Sequence, residues 1–293
     1  MLTNRVQKSS YPSGALAFQF AITPPFFFRF LSRAETLFSP DNRLGTVIHA
    51  PSNGNDRMAQ GDRIRTFIHG FDEKLDGGIP VGQIVLLAGE PGTMKSTIAF
   101  NVIYQNALRE GKAGTYISLE QSRDNLTRHL EQMSLSPHDV ESKVSLVDLG
   151  AIRRNLDGKA DRTWLEIFKM YASNLKRTLN FEILVVDSLP VLEVMARFEN
   201  PREELFQLCE WMRDLEATTI LISEMKPNSE DFGRHGEEYI CDGIIHAKME
   251  RVDDANIQRR IRCVKMRGTN HSPNYFTLIF QNGIFQATRI IAE

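Results

Sequence analysis

The sequence of 293 residues predicts an α/β fold: a mostly parallel central sheet flanked by helices, with antiparallel strands and hairpins added at its C-terminal end. Three observations carry this. The aliphatic runs Ile84-Val85-Leu86-Leu87-Ala88 and Ile183-Leu184-Val185-Val186 lack in-out alternation, which marks strands covered on both faces. Segments with apolar residues at helical spacing lie between them. Near the C-terminus, Asn282-Gly283 separates two short runs rich in β-formers, a strong hairpin signal.

Residues 1–60 stand apart from this pattern. They hold Pro12, Pro24, Pro25, Pro40 and Pro51 with seven Phe residues and no sustained period, so little independent fold is expected there. The organised domain is predicted over 61–293. Met58-Ala59-Gln60-Gly61 directly precedes it, which suggests Met58 as the true start of translation. The apolar region Gly14 to Leu31 is broken by Gln19, Pro24-Pro25 and Arg29 and falls short of the roughly 20 apolar residues of a spanning helix.

From Arg63 the chain becomes regular. Phe67-Ile68-His69-Gly70-Phe71-Asp72 leads through the turn-rich Leu75-Asp76-Gly77-Gly78-Ile79-Pro80 to the strand at 83–88. Gly89-Glu90-Pro91-Gly92-Thr93-Met94-Lys95-Ser96 then turns into a helix beginning Thr97-Ile98-Ala99 and stopped by Gly111. A strand-to-helix turn of small residues followed by Lys and a hydroxyl is a phosphate-binding loop: backbone N–H groups and the helix N-terminus meet phosphate oxygens, Lys95 supplies charge, and Ser96 a magnesium ligand. Nucleoside triphosphate is the ligand it implies. The pattern Gly-x-x-x-x-Gly-Lys-Ser/Thr has Met94 in its second glycine position, so a glycine-only backbone geometry is expected to relax there.

Ala113–Leu119 reads as a strand tipped by Glu120, and Ser122 as the N-cap of a helix with Leu126, Leu130 and Met133 on one face. Val144–Val147 is a short strand. Thr163-Trp164-Leu165-Glu166 is a capping box opening a helix whose Trp164, Phe168, Tyr171 and Leu175 share a face. The strand at 181–187 ends in Asp187. An acid inside a core strand is costly, whereas one at its C-terminal tip reaches the crevice where open α/β sheets bind ligands, which makes Asp187 a candidate magnesium ligand beside Ser96. A helix starts at Asn200-Pro201, a buried strand covers Thr218–Ser223, and the polar segment Glu224–Gly236 reads as a mobile loop. Strands follow at 243–249, 260–266, 275–280 and 283–287.

The chain from about 63 to 290 resembles the KaiC-like branch of the RecA/RadA ATPase superfamily. The resemblance rests on Gly70-Phe71-Asp72 with Gly77-Gly78-Ile79-Pro80-Val81-Gly82, on Gly89 to Thr93, on Tyr116-Ile117-Ser118-Leu119-Glu120, on Val186-Asp187-Ser188-Leu189, and on Lys265-Met266-Arg267-Gly268-Thr269-Asn270-His271, five motifs in the family's order. It implies a RecA-like P-loop NTPase core with ATP and Mg2+ held by Gly89, Glu90, Pro91, Gly92, Thr93, Met94, Lys95, Ser96 and Thr97, with Asp187 as Walker B acid. It implies that Glu120 activates water, though Gln121 replaces the family's second glutamate. Lys265 and Arg267 would act as finger residues in trans, with Thr269 and His271 approaching the same neighbouring nucleotide. A solvated strand face is the plainer reading of Lys265 and Arg267, and a structural acid that of Glu120.

A site completed by a neighbour implies self-association, in the family a homohexameric ring, with a regulatory role and a regulatory protein partner. One ATPase module gives no reason to expect a clock function. The competing readings are a RadA-like recombinase or recombination accessory protein that binds DNA, and a non-hydrolysing, nucleotide-gated assembly protein. DNA is not favoured: the net charge is −2, and around Glu224–Gly236 the bases Lys226, Arg234 and His235 are outnumbered by Glu224, Glu230, Asp231, Glu237 and Glu238. Cys209, Cys241 and Cys263 have no metal-ligand spacing and read as small apolar residues. Use of ATP argues for the cytoplasm.

Overall fold

A computed structural model describes residues 62–156, 163–226 and 229–290, with side chains at 153–156 left aside. The expected N-terminal extension, the Met58 start and the domain boundary at 61 lie outside the described residues.

The core is one ten-stranded sheet with helices on both faces. The parallel strands are β4 (Ile84–Gly89), β5 (Gly114–Ser118), β6 (Val144–Asp148), β7 (Ile183–Asp187) and β8 (Thr218–Glu224), joined by β9 (Gly243–Arg251), which pairs parallel to β4. β10 (Ile257–Met266), β11 (Phe276–Gln281) and β12 (Ile284–Arg289) continue it antiparallel, and the two-residue β2 (Ile68–His69) closes that edge. The order is β2-β12-β11-β10-β9-β4-β8-β7-β5-β6. β4 therefore lies centrally, with β8 and β7 between it and β5, the next core strand in sequence. A small separate sheet pairs β1 (Arg63–Ile64) with β3 (Ile79–Pro80).

Side-chain alternation along β4 explains why it is apolar throughout. Val85 and Leu87 pack under α1 (Lys95–Glu110) with Ile98, Val102, Ile103 and Tyr116, whereas Ile84, Leu86 and Ala88 face Phe168, Leu189, Leu208 and Met212. That second layer is built by α4 (Trp164–Leu179), α5 (Leu189–Ala196) and α6 (Pro201–Asp214); α2 (Arg123–Gln132) and α3 (Leu149–Leu156) are the other α-helices among the described residues between α1 and β8. Gly111 ends α1 with φ +67°, Ser122 caps α2 through the Asn125 N–H, and Thr163 with Glu166 forms the capping box of α4. Asn282 and Gly283, at φ +50° and +75°, make the expected β11–β12 hairpin turn.

The stretch after Asp187, to which the sequence assigns no element, is the helix α5, buried along most of its length. The described residues after β8 up to Gly236 form a loop as expected, with Met225 buried and the Phe232 ring packed edge-on against His246. A short helix α7 (Glu237–Ile240) follows. Asp72 organises the segment before β3, accepting from Thr66 N (2.8 Å), Thr66 Oγ1 (2.7 Å) and Phe67 N (3.0 Å). Asn101 and Asn106 of α1 donate to Thr66 O and Arg65 O, which fixes that segment on the helix that follows the loop.

Candidate nucleotide site

The C-terminal ends of β4, β7 and β8 and the turn after β5 bring together residues that are distant in sequence. The β4 loop is held by its own polar groups: Thr93 Oγ1 donates to Glu90 O at 2.7 Å, and Lys95 Nζ donates to Gly89 O (2.9 Å) and Glu90 O (3.0 Å). Gly89 cannot carry a side chain, since a Cβ there would lie 2.2 Å from Ala247 O. Met94 has φ +69° and ψ +29° as the N-cap of α1. The expected relaxation does not occur: Met94 adopts the left-handed backbone, and its side chain packs against the core beneath α1. That contact offsets a conformation costing roughly 1–2 kcal/mol for an L-residue.

Asp187, 6% exposed, accepts a hydrogen bond from the buried Tyr116 hydroxyl, and its carboxylate stands near Ser96. Burial raises the Asp187 pKa against the pull of Tyr116, Ser96 and Lys95, and Glu120 raises it further. The Tyr116 hydroxyl is pushed well above its usual range by burial and then by the Asp187 charge. Glu120 accepts from Ser188 Oγ, across the cis Asp187–Ser188 peptide. Burial lowers the Lys95 pKa, opposed by Glu224, Asp187, Glu120 and Glu90 in that order. One ammonium thus faces several carboxyl groups. Hydroxyl and carboxylate oxygens with surplus negative charge suit a hard divalent cation such as Mg2+ completed by phosphate oxygens.

The other predicted residues lie elsewhere. Thr97, the second residue after Lys95, is buried with its hydroxyl 3.3 Å from His129 Nε2. Gln121 closes a turn with the Ser118 hydroxyl. Lys265 Nζ donates to Glu238 O (2.9 Å) and Cys241 O (2.7 Å), and Arg267 pairs with Asp242 at 2.7 Å. Asp242 N bonds Ile84 O, and Gln83 Nε2 donates to Arg267 O, so these cations stand at the start of β4, about 16 Å of strand from the loop at its far end. Thr269 Oγ1 accepts from Arg63, and His271 Nδ1 is buried with no hydrogen-bond partner among the described residues. A groove of about 1070 Å³ at the Arg267 end is lined in part by Arg202, Phe206, Tyr239 and Arg267.

A protein-family model described as "ATPase: KaiC" matches residues 64–287. The chain belongs to the KaiC ATPase family. This KaiC-family chain is 30% identical over 220 residues to a UPF0273 protein of Thermotoga maritima, covering 72% of this chain and 89% of that one. It is 29% identical over 230 residues to the circadian clock protein KaiC2 of Synechocystis, covering 75% of this chain and 39% of that larger protein. A crystal structure of a KaiC-like protein from Pyrococcus horikoshii superposes with a TM-score of 0.67 at 28% identity, over 78% of this chain and 99% of that one. The KaiC ATPase domain thus carries the RecA-type fold and a P-loop for ATP.

Sequence reasoning passed over three residues at this site. Tyr116 reads as a core aromatic, and only the pairing of β5 with β7 brings its hydroxyl to Asp187. Ser188 lies in the Val186–Leu189 motif, but nothing in the sequence assigns its hydroxyl to Glu120. Arg259 of β10 donates to Gly92 O at 3.2 Å, a contact made by strand pairing across the sheet.

Proposed function

We propose that this KaiC-family protein binds ATP with Mg2+ at Gly89–Ser96 and hydrolyses it slowly, as a regulatory switch whose sites are completed between subunits. The observation that carries the reading is the approach of Asp187 to the loop residues Ser96 and Lys95: the loop's hydroxyl and ammonium and the strand-end acid converge, as a site for the cation of a phosphate-bound nucleotide requires. Lys95 would leave the loop carbonyls for the phosphates, Glu120 would orient the attacking water, and Thr97 would contribute its backbone alone. Placement of Lys265 and Arg267 at the far end of β4 supports a role toward another molecule's nucleotide, with Thr269 and His271 beside them. Head-to-tail repetition of such contacts favours a ring, with six subunits the family expectation. No described helix is long and apolar enough to cross a membrane, and use of ATP favours a cytoplasmic location. No surplus of basic groups favours the DNA reading.

Phosphate release and ATP affinity measured on wild type, Lys95→Ala and Glu120→Gln test the site. Lys95→Ala is expected to weaken binding at least tenfold, and Glu120→Gln to keep binding while turnover falls about 100-fold. Turnover unchanged by either substitution would remove the proposed site.

A further inference from the structure

Two buried carboxyl groups outside the loop are not used by the proposed chemistry. Glu193 lies in α5 and is 6% exposed; Glu237 opens α7 and is 2% exposed. Both stand against His235, whose backbone N–H donates to Glu237 Oε2 at 2.7 Å and whose Nε2 lies 3.7 Å from Glu193 Oε2. Two carboxylates that close and that dry do not both stay ionised, so one holds a proton. The Glu237 oxygens accept the backbone N–H groups of Arg234 (3.0 Å) and His235 (2.7 Å). Glu193 has no comparable support: its Oε1 is buried without a hydrogen-bond partner. Burial, and then the charge of Glu237, pushes the Glu193 pKa up to about 7.

We propose that Glu193 and Glu237 share one proton and form a latch that holds Arg234–Ile240 against α5 and opens as that proton is lost. The other charged groups facing Glu193 come from the same segment. His235 Nε2 stands 3.7 Å from its Oε2, and Arg234, itself 3.8 Å from Glu224, opposes its rise in pKa. Closed, the latch binds a proton that the open form, with Glu193 at an ordinary 4.5, does not. Its stabilisation is complete below that value, weakens about tenfold per pH unit above it, and is gone above about 7.

The latched segment carries part of what holds both distant cations: its Glu238 carbonyl accepts from Lys265 and its Tyr239 carbonyl from Arg267, while Cys241 and Asp242 just beyond it hold the same two side chains. At its other end α5 begins after Ser188, which holds Glu120. On the proposed function, opening the latch frees the finger residues. The latch itself does not rest on that reading.

Hydrogen exchange of the peptide spanning 232–241, in the full chain without nucleotide and corrected for intrinsic rates, tests it. Opening is expected to rise about tenfold between pH 5.5 and 6.5 and to level off above 7. Glu193→Gln, whose amide donates to Glu237 at every pH, is expected to abolish the slope and keep the segment protected; His235→Asn is expected to retain the slope. A flat wild-type profile overturns the proposal, as does a slope that survives Glu193→Gln or disappears with His235→Asn. Loss of ATP binding in Lys95→Ala with the slope intact, or the reverse, separates the latch from the nucleotide site.

Discussion

Met94 occupies a position built for glycine and keeps the glycine backbone, at φ +69°. Two opposing quantities decide what this costs. The left-handed conformation destabilises by roughly 1–2 kcal/mol, and a half-buried methionine packed on the core returns on the order of 1 kcal/mol. Met94→Gly should therefore change stability by less than about 1 kcal/mol. It should raise turnover several-fold, because a loop relieved of that packing can adjust to the phosphates. Thermal melts with parallel phosphate release check both parts, and unchanged turnover would show that Met94 does not limit it.

At the scale of elements, the loop is only as well placed as the pairing of β4 with β9. Gly89 lies opposite Ala247, whose carbonyl occupies the space a Cβ would need, with Thr93 Oγ1 a further 3.0 Å contact. Gly89→Ala should force the strands apart at the loop, costing about 2–3 kcal/mol and abolishing ATP binding. Denaturant unfolding with a nucleotide titration would show both, and native-like affinity would mean that the pairing does not set the loop. The parallel core, α1 with its Gly111 stop and the last hairpin were legible in the sequence, because each has a local cause in a continuous aliphatic run, a cap or a turn residue. The helix α5 was not. Leu189-Pro190-Val191-Leu192 has no polar face to give a period, since the helix is covered on most sides. Nor was the irregularity between Cys263 and Lys265, which turns Lys265 to the opposite face from Ile261 and Cys263 although simple alternation puts all three on one. At the site, Lys95, Ser96, Glu120 and Asp187 were legible from motif spacing. Tyr116 and the Glu193–Glu237 pair were not, because their partners are fixed only by tertiary packing.

At the scale of the molecule, the loop and the Lys265/Arg267 strand end lie at opposite ends of β4, and Arg267 is 52% exposed with a groove beside it. In a head-to-tail assembly each active interface takes its loop from one subunit and its finger from the next. Lys95→Ala destroys a subunit's loop and leaves its finger; Arg267→Ala does the reverse. Each variant alone should be inactive. Mixed in equal amounts and allowed to exchange, an interface works only when an Arg267→Ala subunit supplies the loop and a Lys95→Ala subunit the finger, about a quarter of interfaces in a random ring. Phosphate release should then recover to about a quarter of wild type, and light scattering should show the mixture assembled with Mg-ATP. A cis site gives no recovery at any mixing ratio, because every chain then carries one broken half, whereas interfaces that act only in concert around the ring lower the yield below a quarter and make it fall steeply as either variant is diluted.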